Sequence, residues 1–433
     1  MKQKIETKLV IIIGLIVLLL VPIFMIQNLI DERAELQQQV QVDIAKSSSG
    51  EQQVIGPFIQ VQFIETHTEE GNTTEQLKTL LLLPETLTIN SELSSFEKYR
   101  GIYKALLYRS TNHFVGQFNT EPLNELAGKK IKQVRMVMAI KDIRGIGQGS
   151  TMRINNQEYA LQPGTKLAQL PEGVNIELDY SALLEQHTLD YQIDLNLQGM
   201  RKLAIAPVGK ETSLSMQADW PHPSFVGDYL PIDSSISEQG FTANWQTNYF
   251  ATNLKELFQH CVFQNQCEQF KQRSMGVNLV DGVDHYLKSY RASNYAILVL
   301  ILVFASFFLL EVLRSEPVHP VQYGFVGLTL AVFYLLLISL GEHLGFNLAY
   351  LLSALASSLL LSIYVAGMLK NTKHGGLFLI SILFLYSLLY GLLSAEDYAL
   401  LMGSLLVFIV LSLLMLLTRT VNWYQSKSQP EEQ

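Results

Sequence analysis

Six apolar stretches dictate what this chain can fold into. One, Leu9–Ile30 (LVIIIGLIVLLLVPIFMIQNLI), lies near the N-terminus, and the others crowd into a nearly continuous tract from Tyr295 to Leu417. A helix needs about 20 apolar residues to cross the roughly 30 Å hydrocarbon layer. In lipid the backbone must also satisfy its own hydrogen bonds, which a helix does. Brief polar interruptions divide the long tract into Tyr295–Leu313, Tyr323–Gly341, Phe346–Leu369, Gly376–Ser394 and Tyr398–Leu417. The expectation is a membrane protein with six transmembrane α-helices, one followed by five. Charged residues make up only 16% of the chain, against roughly 25% in an ordinary soluble domain, and they concentrate in the segment between the first and second spans.

Leu9–Ile30 is longer than the core of a cleavable signal peptide, contains Pro22, and is followed by no small-residue cleavage site. It reads as an uncleaved signal anchor. Orientation follows from the cations, which favour the cytoplasmic side in short loops. Lys2, Lys4 and Lys8, then Arg314, then Lys370 and Lys373, then Arg419 and Lys427 fall on one side; Glu342 with His343, and Glu396 with Asp397, fall on the other. Both termini are therefore expected in the cytoplasm, with residues 31–291 outside, in a periplasm or its equivalent. The expected division is 1–30 tail and anchor, 31–53 helical stalk, 54–291 exported domain, 292–417 five-helix bundle, and 418–433 cytoplasmic tail. Glu311 is expected to pair with Arg314 at the cytoplasmic end of its span.

The segment between spans one and two carries essentially all of the net charge of −8. An acidic domain without a basic stripe excludes nucleic acid as a partner and offers no polybasic patch for anionic lipid. From Val54 onward the hydrophobic period changes toward two, as in a strand. In DYQIDLNL, Tyr191, Ile193, Leu195 and Leu197 share one face, with Gln192, Asp194 and Asn196 on the other. Similar runs occur at 54–66, 78–90, 99–108, 130–140, 173–180 and 211–220. Turn signals punctuate them at Gly56-Pro57, Pro163-Gly164, Pro171-Glu172-Gly173 and Pro207-Val208-Gly209. Many short strands with such turns imply a β-rich domain of antiparallel sandwich or barrel-like sheets, closed by a helix around Ala251–Phe270. The two cysteines, Cys261 and Cys267, fall in the exported part. In an oxidising compartment a disulfide closes that loop; free thiols or metal ligation are the alternatives, the latter weak for a lone C-x5-C.

Searching for chemistry yields no catalytic constellation, cofactor motif or metal-ligand spacing. Gly145-x-Gly147-x-Gly149 resembles a fragment of a nucleotide-binding loop, but the G-x-G-x-x-G spacing and a Walker lysine are missing. The bland reading is a glycine-rich turn with Arg144 exposed. Trp220-Pro221-His222-Pro223-Ser224-Phe225 is the most unusual stretch. Its prolines fix an extended backbone, and it reads as a structural corner, with an interaction surface or a catalytic His222 as the alternatives. In the membrane segments the polar candidates are His319, Glu342 and His343 at helix ends; the cores of the spans hold no ionisable groups of the sort a transporter shows at midplane.

These motifs, in order, resemble one family. GPFIQVQF, YRGIY, DIRGIG, WPHPSFVGDYLP, GFTANWQ, YAIL, the block HPVQYGFVGLTLAVFYLLLISLGEHLGF and a C-terminal NWY are similar to the CreD family of bacterial inner-membrane proteins, over about Leu9 to Tyr424. The matching positions are Arg144, Gly145 and Gly147; Trp220 to Phe225; Gly227 and Asp228; His319, Pro320, Gln322 and Tyr323; and Glu342, His343, Gly345 and Phe346. The resemblance implies a role in cell-envelope integrity and stress, with tolerance of certain colicins and of β-lactam action, and no enzymatic activity or cofactor. Together with the residue patterns it gives the expectation of a non-enzymatic inner-membrane protein whose exported domain binds an envelope protein or cell-wall component, with membrane lipid around its helices. The alternatives are a transporter or lipid-handling protein using the helix bundle and, least favoured, a periplasmic hydrolase acting on the cell wall, which would need a carboxylate pair at a characteristic separation.

Overall fold

In a computed structural model the described residues are 5–69, 72–281, 285–314, 318–394 and 399–419. They fall into two compact units, one of residues 1–38 with 283–433 and the other of residues 39–282. Lys2, Lys4, Glu396, Asp397 and Lys427, and the side chains of Glu311 and Arg314, lie outside the described set.

The helices are α1 (Ile5–Ser47), α2 (Tyr180–Leu184), α3 (Tyr249–Thr252), α4 (Leu254–Gln264), α5 (Glu268–Gln272) and α6 (His285–Asn294), followed by α7 (Ala296–Arg314), α8 (Pro320–Leu344), α9 (Phe346–Met368), α10 (Thr372–Ser394) and α11 (Ala399–Thr418). The N-terminal apolar helix and the C-terminal apolar helices fall where hydropathy puts them. Among the described residues, α1, α8, α9 and α10 are long and apolar enough to cross a membrane, and α6 with α7, joined at a 42° bend, would make a fifth. In the first unit α1 packs closely on α8: a Cβ placed on Gly327 would collide with Leu19 Cδ1 and come within 3.1 Å of Phe304 Cζ. The absent side chain is what admits the close approach, as small residues do between membrane helices.

The strands of the second unit are β1 (Gln52–Glu69), β2 (Asn72–Leu82), β3 (Thr86–Arg100), β4 (Tyr103–Asn119), β5 (Lys130–Ile140), β6 (Thr151–Ile154), β7 (Gln157–Tyr159) and β8 (Gln162–Pro163). There follow β9 (Gly173–Glu177), β10 (Thr188–Met200), β11 (Lys202–Ala206), β12 (Glu211–Ala218), β13 (Pro223–Val226), β14 (Asp233–Ser237), β15 (Gly240–Asn248) and β16 (Met275–Leu279). They form two eight-stranded sheets. One has the order β13-β16-β11-β1-β5-β9-β8 with β2 also on β1; the other runs β14-β15-β12-β3-β4-β10-β6-β7. Phe58, Met136, Ile205 and Val277 of the first sheet join Ile89, Phe114, Ile193, Leu214 and Trp245 of the second in one buried cluster, so the sheets face each other across a shared core. Phe258 of α4 lies 4.8 Å from Phe58 and 4.9 Å from Phe270, ring centre to ring centre. Truncating a ring buried in this way costs about 3–5 kcal/mol.

The β-rich expectation holds, with corrections. The sheets are mixed rather than wholly antiparallel: β1 runs parallel to β11, and β3 parallel to β12. Neither sheet path closes into a barrel among the described residues. Gly56-Pro57 is not a turn but an irregularity inside β1, where the register against β5 shifts between Ile55 and Phe58. Gly56 has φ +129°, a conformation open to glycine alone, and β1 exchanges its partner there, from β11 on one side to β2 on the other. The run 78–90 is split at Pro84, which lacks a donor for the ladder, and the chain passes from one sheet to the other. The run 99–108 is split by a turn at Gly101 (φ +65°). The closing helix is broken at Asn253 and Asn265, both left-handed, and the overlooked β16 follows it to pair between β11 and β13.

Candidate binding face

The sequence motifs resolve first into structural devices. Asp142 caps the helical turn Ile143–Gly145. Its carboxylate accepts from Arg144 Nε (2.9 Å) and Nη2 (2.6 Å) and from the Gly50 amide (2.9 Å). That guanidinium pair, with the Gly50 and Arg144 amides, holds the Asp142 carboxyl below its ordinary range even though burial opposes it. Arg144 Nη1 donates to the Lys46 carbonyl, so the cation sits where the last carbonyls of α1 and the helix dipole favour it. Gln52, fully buried, donates to the Asp142 carbonyl (2.9 Å) and the Gln198 carbonyl (3.0 Å). Gly145 leaves no room for a side chain between Gln198 and Gln52, and Gly147 has Asn196 beside it. Residues 142–147 thus knot the end of α1 to both sheets.

The Trp220–Phe225 stretch is a corner. Trp220 Nε1 donates to the Val280 carbonyl (2.8 Å), and Val280 N donates to the His222 carbonyl (3.1 Å). Pro221 is half-buried, His222 is exposed, and Pro223 opens β13, the edge strand on β16. Phe225 meets Phe241 and Trp245 edge to face. Asp228 pairs with Arg273 at 3.3 Å. Cys261 and Cys267 form a disulfide beside Phe270 of the core.

In the first unit, His319 is the N-cap of α8 and forms a capping box with Gln322. Glu342, nearly buried, accepts from Tyr286 Oη (3.1 Å) and lies 3.7 Å from Arg33 Nε of α1; His343 next to it is exposed. These motif residues are dispersed over the fold, most of them holding a junction, and do not converge on one site.

What does converge is the outward face of the sheet containing β3, β4, β10, β12 and β15. Because side chains alternate across a strand, the inward positions Leu87, Ile89, Phe114, Ile193 and Leu214 are buried and their neighbours face out. Strand register then sets these neighbours in rows. One row runs Thr151, Asp194, His113, Asn90, Ser215, Asn244, Asp233. Beside it run Arg153, Gln192, Val115, Thr88, Ser213, Gln246, and, on the other side, Asn196, Thr111, Glu92, Gln217, Thr242, Ser235. Cross-strand neighbours lie about 4.5–5.5 Å apart. Amides and hydroxyls dominate, charges of both signs are interspersed, no lysine or aromatic residue stands in these rows, and Val115 is the single apolar member. Three shallow depressions of about 690, 510 and 420 Å³ lie on this face.

His113 Nδ1 lies 2.6 Å from Asp194 Oδ1, a pair that in a hydrolase would orient a base toward a nucleophile. The serine in the same row, Ser215, is two strands away, roughly 10 Å at the usual strand spacing, beyond hydrogen-bond reach. Among the described residues no three His, Cys, Asp or Glu side chains gather to hold a metal ion. The face is built for hydrogen bonding. Sequence reading found its signal in one strand, at Gln192, Asp194 and Asn196; the other rows needed the strand order.

The chain matches the family model described as inner membrane protein CreD over residues 4–424. It is 34% identical over 430 residues to the inner membrane protein CreD of Escherichia coli (strain K12), covering 98% of this chain and 95% of that protein. The chain belongs to this family of inner membrane proteins.

Proposed function

We propose that this CreD-family inner membrane protein is a non-enzymatic contributor to cell-envelope integrity, whose β-rich domain binds an envelope component through its polar sheet face. On this reading six helices span the membrane, both termini are cytoplasmic, and residues 31–291 are periplasmic; the cation distribution over the short loops supports that orientation. The observation that carries the binding role is the continuous lattice of polar side chains, most of them amides and hydroxyls, from Thr151 to Asp233. The motif residues Arg144, Gly145, Trp220 and Phe225 act as its frame. The test is complementation of a deletion strain under β-lactam or colicin challenge. A Gln192→Arg, Ser215→Arg double variant, inserted at normal level, loses protection on this reading; full protection sinks it.

One observation favours a second reading, transport or lipid handling by the helices. Hydroxyls on the outside of the bundle, those of Ser306, Thr329, Ser381 and Ser387, bond back to the carbonyl four residues earlier at 2.8–3.0 Å. Tyr334, Ser353 and Ser358, at 3%, 0% and 0% exposure, have hydroxyls with no hydrogen-bond partner among the described residues, and a hydroxyl buried unsatisfied costs about 1–3 kcal/mol. A polar passenger bonding there offsets that cost. Tyr334→Phe then lowers the melting temperature of the lipid-embedded protein; a rise marks the cluster as dry and removes the reading.

A further inference from the structure

One of the depressions on the polar face, of about 690 Å³, lies over β3, β4, β6 and β10, and its chemistry narrows what it can bind. Gln117, Arg153, Asn155, Asn156, Asp190 and Gln192 line it. Four of these are held in place by neighbours. Gln117 Nε2 donates to Asp190 Oδ1 (2.7 Å), and Asn155 Nδ2 donates to Gln186 Oε1 (2.6 Å) while its own Oδ1 accepts from the Asp190 amide (3.2 Å). Arg153 stands between Glu158 (3.4 Å) and Asp194 (3.9 Å). Asn155 and Asn156 form the two-residue turn of the β6–β7 hairpin, both left-handed (φ 47° and 65°), the tight turn that Asn tolerates. The amides of Gln192 and Asn156 make no hydrogen bond with the described residues. Two free planar amides therefore stand within a fixed frame of one guanidinium, one carboxylate and two further amides.

Charge decides among the occupants. A polyanion needs clustered cations, and here Arg153 is already flanked by two carboxylates. A cationic partner needs clustered carboxylates, and Asp190, bonded to Gln117 Nε2, is the single one lining the depression. A hydrophobic protein anchor or acyl chain needs exposed apolar or aromatic surface, and Val115 is the single exposed apolar side chain lining this depression. What remains complementary is an uncharged partner dense in both donors and acceptors. Amide, carboxylate and guanidinium groups each present two hydrogen-bonding atoms in a plane, and adjacent hydroxyl or acetamido groups of a sugar carry the donors and acceptors to pair with them. Resting on the binding role argued above, we propose that this depression is a subsite for an uncharged saccharide chain, with Gln192 and Asn156 as its principal contacts. Each such bond replaces one with water, and no aromatic ring adds stacking, so affinity is weak, with Kd on the order of 1 mM.

The test uses the full chain in a zwitterionic detergent without a sugar head group, since a maltoside would compete. Cellotetraose, which offers hydroxyls alone, and tetra-N-acetylchitotetraose, which adds acetamido groups, are titrated separately, with binding read by ligand-observed saturation-transfer NMR. Binding of either sugar, weakened about tenfold or more by Gln192→Ala with Asn156→Ala and unchanged by His222→Ala at the corner, is the expected result. The double variant must keep the tryptophan emission of the parent; should it not, Gln192→Arg alone serves. No binding of either sugar at 10-fold above the expected Kd, or binding indifferent to these substitutions, overturns the saccharide assignment. If the face variants still abolish protection in cells while neither sugar binds, the face remains the functional surface and only its ligand class is wrong. If both fail, the binding role falls with it.

Discussion

Replacing Gly145 with alanine tests the account of the knot at residues 142–147 more sharply than any change to its charges. A methyl group built on Gly145 would overlap the Gln198 carbonyl oxygen, which is backbone within β10, and the Gln52 amide nitrogen, which belongs to a fully buried side chain. Neither can yield cheaply. Forcing a methylene into such a space costs about 1–3 kcal/mol, and displacing Gln52 leaves buried hydrogen-bonding groups unmet for about another 1–3 kcal/mol. For a domain of this size the sum lowers the melting temperature on the order of 10 °C. Trp220 and Trp245 lie in the β-rich unit, Trp245 almost wholly buried, so intrinsic fluorescence of the full chain reports the loss. Gly147→Ala is the control: its Cβ would stand 3.1 Å from Asn196 Cβ, a contact relieved by a shift of a few tenths of an ångström, and its effect is smaller by several-fold. Equal melting temperatures for the parent and Gly145→Ala would refute the close-approach argument.

Three further outcomes follow from the same geometry. Glu342→Ala removes the contact that joins α8 to Arg33 and Tyr286; in a double-mutant cycle with Arg33→Ala on the thermal stability of the detergent-solubilised protein, the coupling is about 1 kcal/mol, as for a partly exposed pair, and a coupling of zero would discount the pair. Asp142 is held below its ordinary value chiefly by Arg144, so its contribution is complete above the unfolded carboxylate range, about 3.9, and is lost as pH falls through its lower folded value. Glu65, held at about 2 by Lys78 and Lys129, acts in the same window. Asp142→Asn therefore flattens the acid limb of a stability–pH curve, and an unchanged limb counts against the assignment. Reducing the Cys261–Cys267 bond reopens a loop with a sequence separation of 6 and costs about 2 kcal/mol by the chain-entropy relation, measured by chemical denaturation with and without reductant.

How far the fold was legible depended on how local its causes are. The apolar helices were visible because lipid imposes length and apolarity on a contiguous segment, and α9 begins at Phe346 as hydropathy places it. The inward face of β10 was visible because Tyr191, Ile193, Leu195 and Leu197 alternate strictly. The parallel pairings of β1 with β11 and β3 with β12 were not, since they join segments more than 100 residues apart and leave no local trace. Gly56-Pro57 carried turn chemistry, but its glycine serves an irregularity at which β1 changes neighbours. Gly145 and Gly147 read as a glycine-rich turn, which they are, but the close approach of Gly145 to the buried Gln52 side chain and the Gln198 backbone is invisible without the fold. The polar face was half legible. Gln192, Asp194 and Asn196 stood out in one strand, while Thr88 and Asn90, Ser213 and Ser215, and Asn244 and Gln246 acquired meaning only when strand order laid them side by side.

The most direct test of the claim that this face is the binding surface of an exported domain is site-specific photo-cross-linking in intact cells. A benzophenone amino acid is placed at Gln192, at Ser215, or at Ser181, an exposed residue of α2 away from the rows. The account predicts envelope adducts at the first two positions and none at the third. Adducts at Ser181 alone, or with cytoplasmic proteins at all three, would contradict it.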